Sequence, residues 1–135
     1  MRETFRFPIR VYYEDTDAGG VVYYANYLKY MERARTEWLS SIGCELSTLE
    51  RVEGIVFVVH RVEIDYRNPA KLGERIDATL ELVELNRASM TVEQDVVRGD
   101  DLLTHARVAL ACVDCSNRRP MRIPAPLHQR LERLS

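Results

Sequence analysis

The sequence predicts an α+β domain in which a curved, five-stranded antiparallel sheet wraps around one long central helix. Two periodicities predict it: apolar residues recur at every second position in five segments, and at every third or fourth in one. The last four strand-like segments are joined by short turns, which favours antiparallel neighbours. At 135 residues the chain fits a single domain, residues 1–135, that can bury a core without staples.

The first strand is read from Phe5, Phe7, Ile9, Val11 and Tyr13, which share one face, with Arg6, Arg10, Tyr12 and Glu14 on the other. Asp15 to Gly20 is a loop with two aspartates and a Gly-Gly pair. From about Ala25 to Ile42 the period lengthens: Tyr27, Leu28, Met31, Ala34, Arg35, Trp38, Leu39 and Ile42 mark one broad face. Asn26 reads as the N-cap and Gly43 as the glycine that ends the helix. Trp38 and the helix tyrosines read as core. A loop or short helix spans Glu45 to Gly54.

The second strand alternates through Val56, Val58, His60, Val62, Ile64 and Tyr66, and Asn68 to Gly73 is a turn-rich break. Ile76, Ala78, Leu80 and Leu82 mark the third strand. Met90, Val92, Gln94 and Val96 mark the fourth, and Leu103 to Asp114 is the fifth. The tail from Asn117 to Pro126 is rich in arginine and proline, and a terminal helix is expected over Leu127 to Leu134. One helix covers only one face, so open strand edges are expected to pair with another subunit.

Composition narrows the function classes. A formal net charge of -2 gives no basic field for nucleic acid or an acidic membrane. Met1 to Arg10 lack the apolar stretch of a signal peptide, and no apolar run approaches a membrane span. A cytoplasmic protein without membrane insertion is expected. Cys112 and Cys115 form a CxxC, but residues three apart on a strand face opposite sides, and no second pair completes four zinc ligands. Buried or idle thiols are expected, and no metal site.

The chemistry concentrates in Tyr13-Glu14-Asp15-Thr16-Asp17-Ala18-Gly19-Gly20-Val21-Val22-Tyr23-Tyr24-Ala25-Asn26-Tyr27. A carboxylate loop with a glycine pair feeds directly into a helix start, whose free N–H groups and partial positive charge suit a developing oxyanion. A carboxylate just upstream suits a general base or nucleophile. The same parts would also make an aspartate-rich capping turn.

The run Asp15 to Leu28 resembles the signature of the 4-hydroxybenzoyl-CoA thioesterase group of hotdog proteins. It continues through Met31-Glu32-Arg33-Ala34-Arg35-Thr36-Glu37, which resembles the Tol-Pal-associated acyl-CoA thioesterase branch. Val62 to Gly73 (with Tyr66, Pro69, Ala70 and Gly73), Cys112-Val113-Asp114 and Arg122-Ile123-Pro124 match the same branch. The resemblance implies a hotdog fold, a homodimer or homotetramer, and hydrolysis of acyl-CoA thioesters at the subunit interface. It carries the catalytic aspartate onto Asp17 and a pocket tyrosine onto Tyr13. Tyr24 stands where this branch usually has histidine; the 4-hydroxybenzoyl-CoA enzymes can carry tyrosine there, where the backbone N–H matters.

Gly20, Val21, Ala25, Val59, His60 and Arg87 are the candidate substrate contacts. His60 also reads as a core or interface histidine, and Arg87 as plain surface charge. Arg118 and Arg119 are weaker candidates for CoA phosphates; His105 and His128 have no motif context. No cofactor is expected, with CoA entering only as part of the substrate. A short-chain or aromatic acyl-CoA is the expected substrate class. Two rivals stay open: a dehydratase acting on acyl carrier protein, which would want a histidine in the loop, and a non-catalytic acyl-CoA-binding or scaffolding protein.

Overall fold

The computed structural model describes residues 3–135. Met1 and Arg2, which begin the stretch read for a signal peptide, lie outside the described residues. The order is β1 (Phe5–Arg10), α1 (Asn26–Ser41), the short α2 (Leu46–Thr48), β2 (Ile55–Tyr66), β3 (Arg75–Leu85), β4 (Ser89–Arg98), β5 (Asp101–Asp114) and α3 (Ala125–Glu132). The strands form one antiparallel sheet in the order β1-β3-β4-β5-β2, so β1 and β2 are its edges. No helix among the described residues is long and apolar enough to cross a membrane.

The periodicities place the core. Tyr27, Tyr30, Met31, Ala34, Trp38 and Leu39 of α1 are buried together with Ile76, Ala78, Leu80, Leu82, Met90, Val92, Val96, Ala106 and Val108 of the sheet. Each large apolar side chain buried this way contributes about 1.5–3 kcal/mol. The opposite face of the sheet is polar, with Arg6–Asp77, His105–Asp95 and Arg107–Glu93 pairs across neighbouring strands. It therefore needs no second layer.

Thr79, Gln94 and Thr104 are the buried polar side chains among the described residues, and Gln94 is the largest. Gln94 is fully buried on β4; its Nε2 donates to the Met31 carbonyl and its Oε1 accepts from Arg35 Nη1, both at 2.9 Å. A buried amide is tolerated only when satisfied on both sides, and this one ties the α1 backbone to the sheet about a third of the way along the helix. α1 ends as expected at Gly43, whose φ is +87°. Gly43 N–H donates to Ser40 O and Cys44 N–H to Leu39 O, the paired bonds of a Schellman turn.

Several expectations need correction. Tyr13 is not on the first strand: it opens a single 3₁₀ turn, Tyr13–Asp15, and is 81% exposed. Asn26 is the first helical residue rather than the N-cap, because its side chain is engaged elsewhere. Leu28 lies off the buried face of α1. The alternation of β2 breaks at a bulge between Val59 and Arg61, so His60 is exposed and not a core residue of this chain. Cys115 lies just past the end of β5 rather than on the strand; the thiols themselves are as expected, Cys112 buried and Cys115 exposed and free. The last helix begins at Ala125, two residues before the expected start.

Candidate active site

Beyond β1 the chain stays tied to the start of β3: Val11 N–H donates to Glu74 O and Gly73 N–H to Val11 O, each at 2.9 Å. The 3₁₀ turn then reverses it. Asp15 Oδ2 accepts the Tyr12 N–H at 2.8 Å, a local cap that makes the turn self-contained. A miniature hairpin comes next. Thr16 bridges Val22, Asp17 N–H donates to Val21 O at 2.9 Å, and Gly20 N–H closes the turn on Asp17 O at 3.0 Å. Gly20 takes φ +78°, which glycine adopts without strain.

The hairpin is held from both sides. Asp15 O accepts the Tyr23 N–H and the Asn26 Nδ2, both at 2.9 Å. Val22 N–H donates to Ala70 O at 2.9 Å, and Val21 bridges Lys71. Asp17 thus stands exposed at the tip of a braced turn. Its Oδ1 accepts the Gly19 N–H at 2.8 Å, which leaves Oδ2 open to a ligand.

Only part of the expected donor set is available at the helix start. The N–H groups of Asn26, Tyr27 and Leu28 are spent on Tyr23 O, Tyr24 O and Ala25 O. Those of Tyr24 and Ala25 have no acceptor among the described residues. They stand at the positive end of α1, where an oxyanion is most favoured. Beside them is a cleft of about 270 Å³ whose walls include Tyr24, Tyr27, Tyr66 and Arg67. Tyr66 packs edge-on against Tyr24 and Tyr27, with ring centroids 6.0 and 5.7 Å away. Tyr27 also accepts the Ala70 N–H on its hydroxyl at 3.0 Å, and burial pushes its phenol pKa up.

The structure therefore places Asp17, Gly20, Val21, Tyr24 and Ala25 along one hairpin and its exit into α1, away from the remaining candidates. Among the described residues the Tyr13 phenol makes no hydrogen bond, and Tyr13 contributes its carbonyl, which accepts from Thr16. β3 has eleven residues at about 3.3 Å each, which puts Arg87 on the order of 30 Å from the Asp17 end of the sheet. Val59 and His60 lie midway along the opposite edge strand. Sequence reasoning missed Asn26 as a strap and Tyr66 as the cleft wall. Asn26 is visible in sequence only as a polar residue at a helix start, and Tyr66 only as part of the Val62–Gly73 resemblance, with no role attached to it.

Residues 11–131 match the model of the thioesterase-like superfamily. The chain belongs to that superfamily. It is 44% identical over 120 residues to the acyl-CoA thioesterase YbgC of Haemophilus influenzae, covering 89% of this chain and 88% of that one. It is 40% identical over 121 residues to the acyl-CoA thioester hydrolase YbgC of Escherichia coli, covering 89% and 90%. Among solved structures, a probable thioesterase from Bartonella henselae superposes with a TM-score of 0.87 at 34% identity, over 90% of this chain and all (100%) of that one. The fold is thus the hotdog fold expected from the resemblance.

In this thioesterase-like chain Gly19 has a specific steric duty. A Cβ added there would lie 3.2 Å from Asp17 Oδ1, and the backbone is not in a positive-φ conformation. Gly19→Ala is therefore expected to fold normally but to displace the carboxylate, lowering kcat/KM about tenfold. Steady-state kinetics beside a thermal melt checks this; an unchanged kcat/KM would show that the carboxylate tolerates the displacement.

Proposed function

We propose that the protein hydrolyses acyl-CoA thioesters to the free acid and CoA, with Asp17 as the working carboxylate. The observation that carries this is the juxtaposition of an open carboxylate oxygen with two unspent N–H groups, at Tyr24 and Ala25, on either end of one braced hairpin. The N–H groups polarise the thioester carbonyl and hold the negative charge that forms on its oxygen. Asp17 either takes a proton from water as it attacks or attacks the carbonyl itself, and water then completes hydrolysis. In both routes the carbon–sulfur bond breaks, a carbon–oxygen bond forms, and the proton lost by water ends on the thiolate. Thiolate is a good leaving group, so the reading requires no metal or cofactor; CoA enters as part of the substrate.

The same reading requires a second copy of the chain. β2 is a twelve-residue edge strand. Pairing it antiparallel with itself across a two-fold axis reverses the second sheet. The Arg87 end of one protomer then meets the Asp17 end of the other, and Val59 and His60 lie along the seam. The scattered substrate candidates are thereby gathered at a site shared by two protomers, in a dimer or a tetramer built from it. A CoA substrate and three free thiols fit a cytoplasmic protein.

The tyrosine-lined cleft supports a short-chain or aromatic acyl group. Two relatives at lower identity are named for an aromatic one: the 1,4-dihydroxy-2-naphthoyl-CoA hydrolases of Thermosynechococcus vestitus (27% identical) and Synechocystis (26%). Thiol release from a panel of aliphatic and aromatic acyl-CoAs tests the proposal. Turnover of at least one supports it; binding of CoA with no release from any would instead make the protein an acyl-CoA-binding module, the reading that Tyr24 in the histidine position keeps open.

Tyr24 gives a sharper check. If its backbone N–H is the working donor, the phenol is dispensable. Tyr24→Phe is expected to keep kcat within about threefold, and Tyr24→His to change which acyl groups are preferred. A loss in Tyr24→Phe as large as in Asp17→Asn would make the hydroxyl a catalytic group and remove the backbone-donor account.

A further inference from the structure

Beneath the hairpin lies a group that this reaction does not use. Tyr30 is 1% exposed, and its hydroxyl has no hydrogen-bond partner among the described residues. An unpaired buried hydroxyl is costly, and a phenylalanine ring would fill the same space without that cost. Helix geometry says what the hydroxyl stands near. Residues four apart share a face, and helical side chains lean toward the helix start. Tyr30 is therefore stacked below Asn26, whose side chain holds Asp15 O at 2.9 Å.

Asp15 has a matching vacancy. Its Oδ2 accepts the Tyr12 N–H, and its Oδ1 accepts nothing from the described residues. The two groups already sense each other: burial first, and then the charge and the side-chain hydrogen bonding of Asp15, push the Tyr30 phenol above its ordinary pKa. An unused donor and an unused acceptor are thus neighbours without a well-formed hydrogen bond between them at rest. Asp15 is also where both arms of the hairpin are tied, through Tyr23 N–H and Asn26 Nδ2. A small shift of Asp15 moves Asp17 relative to the start of α1.

We propose that Tyr30 is a positioning residue: its hydroxyl donates to the free oxygen of Asp15 when substrate seats, locking the Asp17 hairpin against the Tyr24 and Ala25 N–H groups. The inference rests on the thioesterase reading of the site. The latch is a hydrogen bond only, and the phenol keeps its proton. A hydroxyl donating to a carboxylate is among the stronger hydrogen bonds, so it can fix Asp15, and the hairpin tied to it, in one position.

The test is a double-mutant cycle of Tyr30→Phe and Asp15→Asn, read by kinetics and by melting temperature with and without CoA. Tyr30→Phe is expected to lower kcat about tenfold with KM within about twofold, while the CoA-free melting temperature stays level or rises. The double variant should be no slower than Asp15→Asn alone, and coupling between the two changes in melting temperature should appear only with CoA bound. An unchanged kcat in Tyr30→Phe, a fall in its CoA-free melting temperature, or losses that simply add would overturn the latch. If the wild-type protein releases no thiol from any acyl-CoA, the proposed function fails by itself. The latch then stands or falls on the CoA-dependent coupling.

Discussion

Asp17→Asn is expected to lower kcat by about 10²–10⁴-fold, the range for loss of a general base, with the fold intact. The amide has the size of the carboxylate, and its oxygen can still accept the Gly19 N–H that orients Asp17 Oδ1. Asp17 is exposed, so nothing in the core depends on its charge. The variant should melt like the wild type, keep its oligomeric state and still bind CoA. It loses only the group that can accept a proton or attack a carbonyl carbon. Thiol-release kinetics on a substrate that the wild type turns over decides the matter. Wild-type turnover in a correctly folded Asp17→Asn protein would sink the assignment. Asp15→Asn is the informative neighbour, because Asp15 serves the hairpin rather than presenting an open oxygen at its tip.

Charging the β2 edge should have the next largest effect. Val59 and Val62 are 44% and 37% exposed on this strand, unusual positions for apolar side chains on a bare edge. A lysine on an edge strand opposes strand addition, and near a two-fold axis each lysine meets its own copy. If the proposed shared site holds, Val59→Lys combined with Val62→Lys is expected to leave the protein monomeric and to reduce kcat/KM on the order of 100-fold or more, since half of each proposed site would be missing. Light scattering reads the mass and the assay reads the activity. An active monomer would refute the shared site, while an inactive oligomer would point to direct damage at Val59.

Much of the scaffold is legible in the sequence because period alone carries it. Met90, Val92, Gln94 and Val96 alternate in sequence and are all fully or almost fully buried on β4. The three-and-four spacing from Tyr27 to Leu39 places α1 to within a residue at each end. The hairpin is legible as a carboxylate loop feeding a helix start, but its residues suit a capping turn as well as a reactive site, and only the family resemblance separates the two readings. Other features have no local signature. The bulge at His60 slips the alternation by one residue without changing composition. An asparagine that caps a helix and one that straps a loop read alike, so Asn26 looks like a cap and acts as a strap. Arg87 illustrates a different limit: strand direction, not the turn itself, sets its distance from Asp17 within one chain.

The buried amide of Gln94 has a mechanical consequence. It pins α1 at Met31, five residues from one end of the helix and ten from the other. At about 1.5 Å of rise per residue the short arm is roughly 7.5 Å and the long arm roughly 15 Å. A rocking of about 5° around this pivot moves the helix start by only about 0.7 Å, and the far end by twice that. The free N–H groups of Tyr24 and Ala25 sit on the short arm. Thermal rocking of the rod is thus spent mostly at the Gly43 end, and the oxyanion donors stay close to the fulcrum.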